Sequence, residues 1–594
     1  MLKRLVILGC AVVSLAAADP VITDVVNAAS RIPSGFPSYG IARGALFAVT
    51  GKGLGPDQLQ QATFPLPTTD GLGGVNVQVT VGAATVDAIL VYVSATEVGA
   101  ILPSKTPLGG GVVTLTNNGG KATWPITVVD SAFGVFTIAY YASTYVALAY
   151  NVIDGADPAL NYYVQLPNSI AKPGQNVRIH GTGLGAISSD ETQSGVTDVP
   201  SAKIRLFVGN KEATVVSAGR GLFPGLPDGF PAIPVPAGVA AWDVIEFTVP
   251  DGVLGCHVPV IVQTGTFVSD SPWIAVSADG GPCVDENTAD FGDTVTFSGS
   301  AKVGTISMTR TLNRDTVGSQ TVEIGTEIGT AQFIQFDVPD PLTTRVSVYA
   351  FPLLANNLNP GTCIVQLFRS VFPPVPSTNP TPTTPPANPP KFLDAGASIN
   401  FKNPNNAIQK IPQNKGGTYG GGVGSSFLIP PLPPDNSKVF LVPGTFTTDN
   451  GDGGADVPAF KGTLTLPKPL LTFDNIDQLG AAIDRTKGVT VKWSGGDPNS
   501  YVQIIGTSIN VTGTATANVT LTGTFACAER ISAGQFTVPP FVTLSMPATK
   551  AVSPSPPIGV LSLWTYGLSR IDIPTFDLGI FGIVLDVQRG VPYQ

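Results

Sequence analysis

The sequence predicts an all-β protein, with β-sandwiches in tandem followed by a separate C-terminal β-rich domain. Three observations predict it. Glycine (67) and proline (54) make up about a fifth of the 594 residues, and charged residues only 12%. The chain is thus rich in turns and poor in the Glu, Lys and Arg that coat helices. Apolar residues recur with period two: in "GVNVQVTV" (74–81), Val75, Val77, Val79 and Val81 alternate with small or polar residues, the mark of a half-buried strand. An internal repeat is also visible: "ARGALFAVTGKGLG" (42–55) returns 130 positions later as "KPGQNVRIHGTGLG" (172–185). A domain usually takes roughly 100–200 residues, so three to five are expected.

The first element is a secretory signal peptide over 1–18. "MLKR" supplies positive charge, "LVILGCAVVSL" (5–15) an apolar run too short to span a bilayer, and "AAA" (16–18) the small residues of a cleavage site. A rival reading takes Cys10 in "ILGC" as a lipidated cysteine. No later segment has about eighteen uncharged apolar residues, so no transmembrane segment is expected. The net charge of −9 forms no basic stripe, which argues against nucleic-acid binding. An exported protein is the expectation, secreted or held at the cell surface.

The first sandwich is placed at 19–140 and the second at 141–283. "GKATWPITVV" (120–129), "AKIRLFVG" (202–209) and "HVPVIVQTG" (257–265) read as strands. "FGDTVTFSGSA" (291–301) reads as a degraded third copy of the repeat, and "FDVPD" (336–340) echoes "FTVPD" (247–251). On that basis 284–372 is assigned a degenerate third sandwich. Residues 373–390 hold nine prolines in eighteen positions and read as an extended spacer between two independently stable halves. The C-terminal domain covers 391–594. There "GVTVKW" (488–493) and "YVQIIG" (501–506) read as a strand and its return strand across the turn "SGGDPNS", and "NIDQLGAAIDR" (475–485) as a short helix capped by Asn475.

Four cysteines remain beyond the signal, none in a C-x-x-C pair, which argues against a zinc or thioredoxin-like site. Cys256 and Cys283 sit at the two ends of a strand–turn–strand path, where a disulfide fits. A Cys363–Cys527 bond would tie together the halves on either side of the spacer, in conflict with their independence.

The strand leading into G-x-G-L-G, about a hundred residues per unit, resembles the IPT/TIG class of immunoglobulin-like domains. It is closer still to tandem units of secreted bacterial proteins. "VVNAAS" (25–30), "GALFAVTGKGLGP" (44–56), "LGGVNVQV" (72–79), "YVS" (92–94) and the pattern of Gly255, Cys256, Val258, Pro259 and Val260 carry the likeness over roughly 21–283. The family's Gln-Ile-Asn after "YVS" reads Glu97-Val98-Gly99 here. The C-terminal part resembles a second β-rich module of similar secreted proteins, through "LDAG" (393–396), "VPGTFT" (442–447), "GGADVPAF" (453–460), "WSGGDPNSYVQIIG" (493–506) and "GQFTVP" (534–539). The resemblance implies immunoglobulin-like sandwiches and no established activity.

The glycine turns fit neither phosphate-binding pattern. Lys52 lies inside the glycines, not after them, and no helix pattern follows either copy. Glycine here serves positive φ and close backbone approach, with Leu54 and Leu184 plugging the sandwich edge. His180 and His257 lack nucleophile-elbow or metal-ligand surroundings. "DNGDGGAD" (449–456) offers Asp449, Asp452 and Asp456 to calcium, or is simply a polar turn. The five tryptophans are scattered about one per module, as core anchors are, and loop 221–236 presents Phe223 and Phe230. The expectation is a non-catalytic extracellular scaffold, adhesion or ligand-binding protein without cofactor, whose partner is an extracellular protein or a glycan. The alternatives are a carbohydrate-binding accessory protein, or a hydrolase with its site in 391–594.

Overall fold

A computed structural model describes residues 19–140, 144–152, 170–221, 235–284, 294–317, 320–345, 358–372, 390–514, 518–551 and 558–594. The expected signal peptide, all but Pro390 of the proline-rich stretch, and Phe223 and Phe230 lie outside these residues. The protein is all-β, with immunoglobulin-like sandwiches in tandem and a larger C-terminal β domain. No helix of the described residues is long and apolar enough to cross a membrane.

In the first sandwich, Val21–Asn27, Leu46–Lys52, Glu97–Ile101, Ile89–Val93 and Gln60–Gln61 form one sheet; Ile41–Ala42, Gly120–Val129, Gly109–Asn117, Val75–Val81 and Ala84–Asp87 form the other. The alternation read in the sequence is the burial: Val75, Val77 and Val79 are at most 1% exposed and meet Phe47, Val49, Val113 and Leu115 between the sheets. Each such valine contributes about 1.5 kcal/mol or more by leaving water. The second unit closes on Val177, Ile179, Leu206, Ile245, Phe247, Val260 and Val262. The two units share a further core in which Trp242, fully buried, packs with Leu46, Val91 and Phe136.

Among the described residues the expected third sandwich is not formed. Residues 294–345 form two long strands that belong to the sheet of the C-terminal domain. We number the strands of this ten-stranded sheet β1 (Thr294–Val317), β2 (Gln320–Arg345), β3 (Thr362–Phe372), β4 (Lys391–Phe392), β5 (Thr418–Leu428), β6 (Asp435–Lys438), β7 (Tyr501–Gly513), β8 (Asn518–Arg530), β9 (Gly559–Arg570) and β10 (Leu578–Gly590). The order is β3-β8-β7-β9-β10-β1-β2-β5-β6, with β4 beside β2. The reason is apolar complementarity. Ile306 and Met308 of β1 are buried against Phe581 and Ile583 of β10, the strand with which β1 pairs in parallel, and against Phe401 of a neighbouring strand. "FDVPD" therefore lies inside β2, not at a domain end.

Nor do the parts before and after the proline-rich stretch stand apart. Strands β1, β2 and β3 precede it, and each pairs with strands that follow it. Cys363 and Cys527, directly opposite on β3 and β8, are bonded, so both the disfavoured disulfide and the independence of the halves are corrected. Phe207 of the second unit stacks on Phe541 at 4.3 Å, and Ile32, Phe36 and Leu521 form a further contact cluster. Two local expectations also fail. Val489–Ser494 pairs with Gln535–Val538 and Thr472–Phe473, not with β7, because the intervening turn is long enough to cross between sheets. The helix expected at 475–485 is a single 3₁₀ turn, Ile476–Gln478. Asn475 does not cap it but bonds the backbone of Thr490 and Lys492 at 2.9 and 2.8 Å, and Gly480 turns the chain at φ +75°.

Candidate functional site

The residues singled out in the sequence resolve into framework first. In the second glycine turn, the N–H groups of Gly183 and Leu184 donate to Asp243 Oδ2 at 2.7 and 2.8 Å. Asp243 pairs with Arg220, both side chains fully buried. Arg220 in turn donates to the carbonyls of Gly185 (2.7 Å) and of Gly44 in the first sandwich (3.0 Å). Asn27 of "VVNAAS" reaches the carbonyls of Ala132 and Thr182, both at 3.1 Å. The glycine turn is thus a joint between two sandwiches. Leu54 and Leu184 are buried, at 0% and 1% exposure, as expected of plugs. A Cβ at Gly183, whose φ is +113°, would lie 2.2 Å from the Ala132 carbonyl oxygen. Gly183→Val is therefore expected to cost at least about 3 kcal/mol in chemical denaturation. Lys52→Ala should change stability by about 0.5 kcal/mol or less.

His180 is a core residue. It accepts a hydrogen bond from Trp242 Nε1 at 2.8 Å, and burial, with Arg178 nearby, pushes its pKa down to about 3. His257 lies against the Trp273 ring at 4.4 Å. Cys256 and Cys283 are bonded, with Cα atoms 5.2 Å apart.

The aspartates of "DNGDGGAD" point to different partners. Asp449 accepts from Asn400 Nδ2 (2.6 Å) and the Gly451 N–H (3.0 Å). Asp456 accepts from the Asp394 N–H (3.0 Å) and Lys391 (3.4 Å), and the Asp394 hydrogen bond holds its carboxyl below the usual range. Asp452 is exposed. Among the described residues no three His, Cys, Asp or Glu side chains converge as metal ligands. The loop is organised by Asn450, 5% exposed, which donates to Ala395 O (3.1 Å) and Pro458 O (3.2 Å) and accepts from the Phe460 N–H (2.9 Å). Sequence reading passed over this residue in favour of its charged neighbours.

The ten-stranded sheet brings together residues that no local pattern connects. One face covers the C-terminal cores, through side chains such as Ile504, Leu563 and Met308. Alternation puts the other set on the opposite face. Gln503, Trp564, Asp586, Thr311 and Thr326 form one row across β7, β9, β10, β1 and β2. In the adjacent row Ser562 Oγ donates to Gln588 Oε1 at 3.1 Å, and Gln588 Nε2 to Asn313 Oδ1 at 2.5 Å. Tyr566 lies one alternation along from Trp564, half-buried like it. Trp124, Trp242, Trp273 and Trp493 all pack into core clusters, whereas Trp564 and Tyr566 belong to none of the clusters formed by the described residues.

Asp586 is 5% exposed. The Trp564 indole and Thr311 hydroxyl sit beside its carboxyl, yet neither Trp564 Nε1 nor Asp586 Oδ1 completes a hydrogen bond of ordinary geometry. Burial raises the Asp586 pKa to about 7, against the pull of these two neighbours. An unfolded Asp titrates near 3.9. The folded state therefore holds the extra proton between about pH 4 and 7, and its contribution to stability, full below pH 4, is lost as pH rises through 7. Asp586→Asn is expected to flatten this part of the stability–pH curve, measured as the difference between wild type and variant in urea midpoints at pH 4.5 and 8.

No protein-family model matches the chain, and no curated protein matches it. Solved structures show distant likeness. The extracellular region of plexin A4 is 12% identical over 41% of this chain and 17% of its own, with a TM-score of 0.14. This chain therefore spans about a sixth of the plexin. The titin immunoglobulin tandem A164–A165 is 8% identical over 40% of this chain and 91% of its own, with a TM-score of 0.11. Invasin, a bacterial integrin-binding protein, is 12% identical over 91% of this chain and 75% of its own, with a TM-score of 0.12. The protein resembles immunoglobulin-like tandem structures at this level only, and its residues have to supply any functional argument.

Proposed function

We propose that the protein is an exported, non-catalytic β-sandwich scaffold that binds its ligand on an outward-facing surface. The observation that carries this reading is the pair of disulfides. Cys256–Cys283 and Cys363–Cys527 use all four cysteines beyond the N-terminal segment, and bonds of this kind persist in oxidising compartments outside the cytosol. The second bond closes a separation of 164 positions, inside a frame of interleaved strands suited to holding a surface rigid. His180, weighed as a catalytic base, is sealed in a core where it accepts from Trp242, which supports the same reading. The test is fractionation of producing cells with non-reducing peptide mapping. Both disulfides are expected in protein recovered from the exported fraction, with no turnover of polysaccharide, ester or phosphate substrates. Free thiols in a cytosolic pool would overturn the export, and turnover abolished by a point substitution would overturn the non-catalytic part.

A further inference from the structure

We propose that the outer face of the small sheet within residues 398–466 binds an anionic polysaccharide, one that carries carboxylates on its sugar rings. The inference names the ligand class for the scaffold reading and rests on it for the role of an outward-facing surface.

Four antiparallel strands make this sheet, in the order Ile408–Pro412, Ser398–Lys402, Gly444–Asp449 and Lys461–Leu466. Its inner face is closed, since Ile399, Phe401, Ile411, Phe446, Leu464 and Leu466 all enter one core. Alternation sends the intervening side chains outward. These are open to solvent: Lys402, Lys410, Lys461, Thr445, Thr463 and Thr465 are exposed, and Ile408 is 57% exposed.

Register assembles charge here that no run in the sequence announces. One row across the four strands reads Lys410, Asn400, Asp449, Lys461, and the next reads Ile408, Lys402, Thr447, Thr463. With strands about 4.8 Å apart, Lys410 and Lys461 bracket the first row at roughly 14 Å, and Lys402 lies between them one alternation along. The chain as a whole carries −9, yet this face sets three cations against the one carboxylate of Asp449. That carboxylate is taken up by Asn400 Nδ2 at 2.6 Å and the Gly451 N–H at 3.0 Å. Among the described residues no ion pair engages Lys402, Lys410 or Lys461. A cationic face on an anionic protein draws an anionic partner.

The other groups select the class of partner. The threonine hydroxyls donate and accept at once, as sugar hydroxyls require. Lysine is a point charge on a flexible stem, suited to carboxylates strung along a chain. Nucleic acid is held by stacked rings and arginine forks, and this face has neither an aromatic side chain nor an arginine. A membrane is held by a broad apolar face sunk into it, whereas Ile408 and Pro412 are the apolar side chains here.

The experiment is affinity electrophoresis of the full chain at low ionic strength in gels containing polygalacturonate, with the methyl-esterified polymer as the uncharged comparison. Retardation by polygalacturonate and little by the ester is expected. Binding should fall roughly tenfold between about 50 and 200 mM salt, as release of counterions from a few contacts requires. Replacing Lys402, Lys410 and Lys461 together by Gln should weaken binding at least about tenfold. The same change at Lys105, Lys121 and Lys203, exposed lysines of the two sandwiches, alters net charge equally and should leave binding within about twofold. Both variants should unfold at the wild-type temperature. The proposal is overturned if polygalacturonate fails to retard the protein, if the ester retards it equally, or if duplex DNA or phosphatidylglycerol vesicles bind it more tightly. It is also overturned if the folded Lys402, Lys410 and Lys461 variant binds as wild type, or if the comparison variant loses as much. In those cases the scaffold reading stands on its own fractionation test. Polygalacturonate binding by a protein found in the cytosol would overturn the scaffold reading alone.

Discussion

Replacing Cys363 and Cys527 together by alanine is expected to lower the stability of the C-terminal domain by about 5 kcal/mol. The bond joins residues 164 positions apart, and the chain-entropy cost of closing so long a loop grows to about this size, on a model that is contested. Alanine avoids burying a hydroxyl, since both cysteines are 0% exposed. Urea unfolding, followed with Cys256–Cys283 left intact, measures the loss. A second outcome separates covalent from non-covalent linkage. Protease nicking between 373 and 389 should leave the two pieces associated, even in the alanine variant. Strands β1 and β2, from before the nick, lie between β10 and β5, from after it. Two fragments that part on a native gel would show that the strand interleaving is too weak to hold them.

Asp243→Ala should be nearly as damaging, at about 3–5 kcal/mol. The substitution leaves the fully buried guanidinium of Arg220 without its counter-charge, and strips the N–H groups of Gly183 and Leu184 of their acceptor. Arg220→Met should cost less. An isolated buried carboxyl can take up a proton and still accept one of the two N–H bonds, whereas arginine cannot shed its charge. Asp243→Ala should therefore loosen the joint between the first two sandwiches, visible as faster amide exchange in both Leu46–Lys52 and Asn176–Thr182. Equal losses for the two variants would mean that the charge pair, not the turn, governs the site.

Much of the fold was legible because it is written locally. The alternation of Val75 to Val81 gave a strand, a face and a core at once. The G-x-G-L-G turns announced positive φ, and the Cys256–Cys283 spacing closed as a hairpin closes. The errors arose where meaning depends on distant strands. "FGDTVTFSGSA" looks like the opening of a sandwich, but nothing in it states that Ile306 and Met308 will find Phe581 and Ile583 some 275 positions away. One signal was available: between Ala301 and Val317 a single glycine interrupts the alternation, too little punctuation for a compact sandwich. The Trp564 row was illegible for the same reason. It is assembled from positions 311, 326, 503, 564 and 586, and scattered tryptophans in a sequence do not disclose which one is left outside the cores.

The parallel pairing of β1 with β10 has a consequence for how the protein is made. The Lys302 N–H binds the Asp577 carboxylate across 275 positions of sequence, and β10 runs on to Gly590. The centre of the largest sheet therefore cannot form until residues 578–590 have been made. Until then β1 offers the long, unpaired apolar edge that promotes aggregation. Contacts this distant close slowly, so the centre of this sheet stays open until that late segment has been made. A premature stop between residues 571 and 577 would remove β10 alone, leaving β1 and β9 as two exposed edges and no route to the native sheet.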